Sequence, residues 1–146
     1  MTNSEQAHEL MLQMIRTRRT FRQAVQRMLR SHNVEMTFEM LQVMHRLWEQ
    51  QGISQQQLAQ LTSKDKASLT NLINNLVRKG WVTRREDAAD RRSRLIFLTA
   101  TGKALAGSVK PILKEIYDRT GERMNTGEMI LATACLGKLH GILDEI

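Results

Sequence analysis

The stretch from Ile53 to Gly102 constrains this chain more than any other, because it reads as two short helices, a sharp stop and a two-stranded β-ribbon with a basic tip. Ser54 is a candidate N-cap. Gln57, three residues on, completes a capping box, and Ile53 and Leu58 have the spacing of a hydrophobic staple. Leu58 and Leu61 give this first helix its apolar stripe, which lapses at the polar pair Thr62-Ser63, a turn signal. The second helix starts near Lys64, with Asp65 in its first turn, where a carboxylate complements the helix dipole. Leu69, Leu72, Ile73, Leu76 and Val77 recur at spacings of three and four and mark one buried face. The opposite face is small and polar: Lys66, Ser68, Thr70, Asn71, Asn74 and Asn75, with Ala67 between. Gly80 can take the left-handed conformation that closes a helix, and Trp81 falls where a Schellman motif places its apolar contact, on Leu76.

The ribbon follows at once. Val82 to Glu86 reads as one strand and Leu95 to Leu98 as its partner. The loop between them holds Arg91, Arg92 and Arg94 within four positions, which points to a phosphate-lined partner. Groove geometry gives the combination its meaning. The major groove of B-DNA admits one helix and presents distinguishable donors and acceptors, which Asn, Ser, Thr and Lys can read. A projecting arginine suits the narrow minor groove, where negative potential is concentrated. Taken alone, Asn71, Asn74 and Asn75 fit a solvated face better than a reading face. Taken with the turn, the stop and the basic ribbon, they make a winged helix-turn-helix that binds DNA. The candidate contacts are Ser54, Lys64, Lys66, Ala67, Ser68, Thr70, Asn71, Asn74, Arg84, Arg91, Arg92 and Arg94.

Charge is placed accordingly. Residues 62–103 carry ten Lys and Arg against four Asp and Glu, or +6, of a chain total of +7; residues 1–61 give +2 and residues 104–146 give −1. A basic footprint confined to the reading module is what a polyanionic partner requires. A lone Cys135 excludes an internal disulfide and fits a reducing cytoplasm. No apolar run is long enough to span a membrane, and Met11 to Ile15 is too short and interrupted for a secretory core.

The flanks are helical. Residues 1–7 read as frayed, and from about His8 to Ser31 an apolar stripe of Met11, Met14 or Ile15, Phe21, Val25, Met28 and Leu29 runs among six arginines. Those arginines fit a solvated face whose stems cover apolar surface. Thr37 caps the next helix, with Phe38, Leu41, Met44, Leu47 and Trp48 inward, and Gly52 ends it. After the ribbon, Thr99 caps a helix to about Arg119, with a bend or break expected near Pro111. Asn125 or Thr126 caps a last helix. Apolar faces on these outer helices exceed what one reading unit needs, and pairing with a second subunit is their simplest use. A two-fold dimer covers two half-sites about one helical turn apart. The expected architecture is mainly α with a small β-wing. It forms a single domain over 1–146: a winged helix-turn-helix at about 37–100, flanked by dimerisation helices at about 8–31 and 103–146.

The run from Asp90 to Gly102, DRRSRLIFLTATG, resembles the Asp-x-Arg then Leu-Thr-x-x-Gly signature of the MarR (multiple antibiotic resistance regulator) family, and Leu76 to Arg84 is similar to that family's recognition-helix exit. Helix order and length fit from end to end. The resemblance implies a homodimeric bacterial or archaeal transcription regulator, usually a repressor at a palindromic operator. It implies that Arg92 enters the minor groove, that Asp90 braces the wing through a salt bridge, and that residues on the face from Lys66 to Asn74 touch bases. It also implies pairing of the first and last helices across the dimer, and release by small anionic or phenolic ligands bound between the dimerisation arms and the winged domains.

Other sites are weaker. Met14, Phe21, Met40, Met44, His45 and Trp48 are candidate walls of a ligand pocket, since methionine-rich surface adapts to varied ligands, but the same spacing fits a core. Cys135 reads as a small hydrophobe of the last helix. His8, His32, His45 and His140 lack metal-ligand spacing, and no nucleophile, phosphate loop or carboxylate pair suggests an enzyme, so neither metal nor cofactor is expected. Two other readings stay open: a DNA binder without a ligand response, and a winged-helix module that binds a protein.

Overall fold

Every helix opens on a side chain that takes up a free amide. The computed structural model describes residues 1–146. Its elements are α1 (Asn3–Ser31), α2 (Phe38–Glu49), β1 (Ile53–Ser54), α3 (Gln55–Leu61), α4 (Lys66–Arg78), β2 (Val82–Glu86), β3 (Arg94–Leu98), α5 (Ala100–Arg123) and α6 (Thr126–Asp144). The caps are Thr2, Thr37, Ser54, Asp65 and Asn125. Thr99 serves α5, accepting from the Gly102 amide at 3.0 Å. Such caps contribute about 1 kcal/mol each.

Three local expectations are corrected. The first residues do not fray: Thr2 and Glu5 form a capping box, so α1 starts at Asn3 rather than His8. Asp65 is the cap of α4 rather than a first-turn residue. At Pro111 the helix does not break, and α5 runs on to Arg123.

The chain forms two compact units, Met1–Lys110 and Pro111–Ile146. In the first, α2 supplies the centre of the core through Leu41, Val43, Met44 and Leu47. Val25 and Leu29 of α1, Leu58 of α3, and Leu69, Ile73 and Leu76 of α4 are buried with it. An edge-to-face pair of Phe21 and Phe38, 5.9 Å between ring centres, joins α1 to α2.

The sheet is antiparallel with order β1-β3-β2. The two-stranded ribbon expected from the sequence therefore gains a third, two-residue strand, with Ile53 opposite Ile96 and Ser54 opposite Leu95. Ile53 is thus both a staple for α3 and a rung of the sheet, which ties the start of the helix pair to the base of the wing. Gly52, at φ +71°, makes the turn into β1. A Cβ there would also press on the Phe97 ring at 3.1 Å. The second unit holds the rest of α5 and α6, with Ile112, Leu113 and Leu139 buried. No helix is long and apolar enough to cross a membrane.

Candidate nucleic-acid interface

The helix pair is set by three local devices. The Ser54 hydroxyl accepts from the Gln57 amide at 3.1 Å, while the Gln57 side chain accepts from the Ser54 amide at 3.2 Å. Ser63 takes φ +52°, a left-handed turn residue between the helices. The Asp65 carboxylate then accepts from the Ser68 amide and the Ser68 hydroxyl, both at 2.8 Å. Those two bonds, the amide first, hold the Asp65 carboxyl below its ordinary 3.8. At its far end α4 closes as a Schellman motif: Trp81 N–H donates to Leu76 O, Gly80 N–H to Val77 O, and Gly80 lies at φ +77°.

These restraints aim one face of α4 outward. Lys66, Ala67, Ser68, Asn71 and Asn74 are exposed, and Thr70 is half-buried. Leu69, Ile73 and Leu76 are buried beneath them, as the periodicity requires, whereas Val77 stays 38% exposed and does not belong to the core.

The wing is held by backbone and by two aspartates. Asp87 Oδ1 accepts from the Ala89 amide and Asp90 Oδ1 from the Arg92 amide, each at 3.0 Å. The Ser93 amide donates to the Asp90 carbonyl at 3.0 Å. Asp90 therefore braces the loop as an Asx turn and not through the salt bridge that the family resemblance implied. The wing's ion pair is instead Arg94–Glu86, 3.6 Å apart and directly opposite in the ladder. Arg85 lies over the Phe97 ring at 4.3 Å. Arg91 and Arg92 are exposed, and their guanidinium groups have no acidic partner. Between wing and helix pair lies a cleft of about 630 Å³, lined by Gln55, Gln56, Lys66, Asp90, Arg92, Ser93 and Arg94.

The signature after the wing has a packing explanation. The Thr99 hydroxyl donates to Gly80 O at 2.6 Å, and the Thr99 amide to Trp81 O at 3.0 Å. At Gly102 a Cβ would stand 2.0 Å from the Trp81 carbonyl oxygen, so only glycine fits. Thr99 and Gly102 thus lock the end of α4 to the base of the wing.

The candidate contacts are not equally free. Lys66, Asn71, Arg91 and Arg92 leave their polar ends unbonded within the protein. Lys64 instead turns its ammonium to Gln42 on α2, 3.0 Å away, and Ser54 is occupied in its cap. Arg84 reaches inward, donating through Nη2 to Asn74 Oδ1 at 2.5 Å and through Nε to Gln55 Oε1 at 3.5 Å. Gln55 Nε2 in turn donates to Thr70 Oγ1 at 2.8 Å. Gln55 is the member that sequence reasoning missed. It follows directly on the Ser54 cap, and nothing local marks its partners fifteen and twenty-nine residues away.

The other candidates scatter. Met44 is fully buried and Met40 nearly so, which makes both core rather than pocket wall. His45 is exposed and paired with Glu49 at 3.1 Å. The Trp48 indole donates to the Gly102 carbonyl. Phe21 is engaged with Phe38, and Met14 is half-exposed on α1. Cys135, expected as a buried small hydrophobe, is exposed on α6.

Against known proteins, the family described as MarR family matches residues 37–93, which spans the start of α2 to the wing tip. The HTH-type transcriptional regulator TtmR of Methylorubrum extorquens (strain PA1) is 30% identical over 112 residues, 77% of this chain but 55% of that protein, so the chain spans about half of TtmR's length. The transcriptional regulator HosA of Escherichia coli O111:H- is 30% identical over 97 residues, 66% of this chain and 72% of that protein. Among solved structures, S. aureus MepR in a complex with DNA superimposes with a TM-score of 0.83 at 25% identity, covering 93% of this chain and 97% of MepR. With the helix pair, the Asx-braced basic wing and the Thr99–Gly102 lock in place, the chain belongs to the MarR family of DNA-binding transcriptional regulators.

Proposed function

We propose that the chain is a homodimeric repressor, working in the cytoplasm, that binds a palindromic operator and is released by a small anionic or phenolic ligand. Each α4 enters a major groove, and each Arg92 enters the flanking minor groove. The observation that carries this reading is one surface with two uncommitted parts. Lys66 and Asn71 on α4, and Arg91 and Arg92 on the wing, keep free polar ends in the segment that carries +6 of the net +7 charge. Unpaired arginines beside an amide-rich helix face suit a polyanion with readable base edges, and the long-range pull of such a surface on a polyanion is large.

Dimerisation is supported by α6, which leaves Ile130, Leu131, Leu136, Ile142 and Leu143 exposed. A helix apolar on this scale calls for a partner surface, and a second copy is the simplest one. A ligand response is supported by a cavity of about 480 Å³ where the end of α1 meets the start of α2. Arg30 and Lys79 line it, as does Gln26, whose Oε1 is buried without a hydrogen-bond partner. Arg30 suits a carboxylate, since Lys79 is already 3.9 Å from Glu35 of the same lining, and the unpaired acceptor suits a phenolic hydroxyl.

The test is selection of bound sequences from a random duplex pool at near-physiological salt, by protein of measured oligomeric state. The expected result is a two-fold palindrome bound by a dimer, with affinity falling steeply as salt rises. Folded protein that enriches no sequence and ignores salt overturns the reading. With the operator in hand, 4-hydroxybenzoate serves as a probe of release, and Arg30→Ala is expected to blunt its effect.

A further inference from the structure

Arg84 divides the labour between the two exposed asparagines of the recognition helix. We infer that Asn74 acts as a hydrogen-bond donor toward an acceptor edge, guanine N7 and O6 before any other, while Asn71 is the two-way amide able to pair with adenine. The inference rests on the proposed docking of α4 in the major groove.

The argument starts from a group that can only donate. A guanidinium has five N–H donors and no acceptor, and it stays charged at any pH the fold survives. The atom of Asn74 that lies 2.5 Å from Arg84 Nη2 is therefore the carbonyl oxygen, and the amide orientation is fixed by its partner. The same logic orients Gln55, with Oε1 toward Arg84 Nε and Nε2 toward the Thr70 hydroxyl. Thr70 then has no proton to spare, since its hydroxyl donates to the Lys66 carbonyl at 2.8 Å.

Adenine recognition by asparagine needs both ends of the amide, the nitrogen on N7 and the oxygen on the exocyclic amine. Asn71 is exposed and makes no side-chain hydrogen bond, so both ends are available. Asn74 is exposed as well, but its oxygen sits against a permanent positive charge. A second lone pair remains on that oxygen. An incoming amine N–H would nonetheless approach a cation, while the same cation polarises the amide and strengthens the Nδ2 donors. Two donors with no usable acceptor match guanine, which offers two adjacent acceptors in the major groove. Ser68 and Thr70 complete the pattern. The Ser68 proton goes to Asp65, which leaves an oxygen acceptor, and Thr70, whose proton goes to the Lys66 carbonyl, keeps one acceptor lone pair beside the bond from Gln55.

Arg84 and Gln55 are thus positioning residues, acting on the operator through Asn74 and Thr70. The test compares sequences selected from a random duplex pool by the full-length wild-type protein and by Asn74→Ala, Arg84→Met and Asn74→Asp, each checked for folding by circular dichroism. Asn74→Ala identifies the base pair that Asn74 faces, as the one position whose preference relaxes. The expected wild-type choice there is guanine, by roughly five- to a hundredfold, the range of a good paired contact. Arg84→Met frees the Asn74 oxygen and is expected to shift that one position toward adenine, beyond any uniform loss of affinity. Asn74→Asp keeps an acceptor for Arg84 and so keeps the local fold, but it removes both donors, and the guanine preference should vanish. A palindrome with adenine at the Asn74 position overturns the inference and leaves the duplex-reading role standing. So does an Arg84→Met profile changed equally at every position, an Asn74→Asp profile that keeps its guanine, or an Asn74→Ala profile relaxed nowhere. Wild-type protein that enriches no sequence overturns the duplex-reading role, and this inference with it.

Discussion

The Trp48 indole N–H donates a 2.9 Å hydrogen bond to the Gly102 carbonyl oxygen, joining residues 54 apart. Gly102 sits where α5 leaves the wing, and its missing Cβ lets the Trp81 carbonyl approach. Gly102→Ala would place a methyl 2.0 Å from that oxygen, so backbone must move. The movement disturbs three bonds at once: Trp48 to Gly102, the Thr99 amide to Trp81, and Gly102 to the Thr99 hydroxyl. The expected loss is about 3 kcal/mol or more, at the upper end of overpacking, read as a lower urea midpoint. Gly121→Ala is the control. It lies in α5 with nothing within 4 Å of a new Cβ, and it should stabilise by about 0.5–1 kcal/mol.

Arg92→Ala should weaken operator binding by roughly 1–3 kcal/mol with stability nearly unchanged, since the side chain is exposed and bonded to nothing within the protein. Asp90→Ala should also weaken binding, although the carboxylate repels phosphate. Its Oδ1 holds the Arg92 amide and thereby the loop that presents the guanidinium. If the two act as one device, Asp90→Ala adds little once Arg92 is gone, and a double-mutant cycle on operator affinity shows a large coupling. Additive losses would separate the Asx turn from the groove contact.

What the sequence made legible was local. The Ser54 box, the Gly80-Trp81 closure and the strand at Val82–Glu86 each depend on residues within six positions of one another, and each stands as read. The misses depend on distance or environment. β1 is two residues long, so it has no alternation to detect, and it exists only because β3 folds back beside it. The start of α1 carries a Thr-x-x-Glu box but no apolar stripe, so periodicity alone placed it late. Gln55 carries no local mark, since its function comes from Arg84 arriving on another element. The methionines of the supposed pocket share a spacing, but Met44 points into the core and Met14 lies half-exposed on α1. Charge singled out the wing as a basic surface, while the form of its brace, an Asx turn, is a matter of backbone geometry that no spacing records.

Acid should loosen the α1–α2 contact through Glu39. Burial pushes this carboxyl up, but the Arg22 hydrogen bond, its own backbone amide and the charges of Arg22 and Lys64 outweigh burial and hold it below its ordinary 4.5. A folded-state value below the unfolded one contributes stability that is fully present above 4.5 and is lost as pH falls through the lower, folded value. The pair is about a third exposed, so the contribution is modest. Arg22→Met should flatten this limb of the stability curve and leave neutral-pH stability only slightly lower. Urea midpoints for both proteins from pH 7 down to the acid limit test it, and parallel curves would remove the Arg22–Glu39 pair from the acid response.

Asn71→Ala should change which sequences are bound more than how tightly random duplex is held. The residue is exposed on α4, carries no charge and has both amide ends free. It therefore has little to offer a phosphate, whose contacts position the protein without distinguishing bases. Specific affinity is expected to drop by about 1–3 kcal/mol at the preferred operator, while non-specific affinity and its salt slope stay close to wild type. Lys66→Ala gives the opposite profile, with binding weakened on every sequence and the salt slope reduced by about one. Titrations of both variants on the selected operator and on a scrambled duplex, at two salt concentrations, separate the cases. If Asn71→Ala lowers both affinities equally, the amide contacts the backbone, and base reading on α4 falls to other residues.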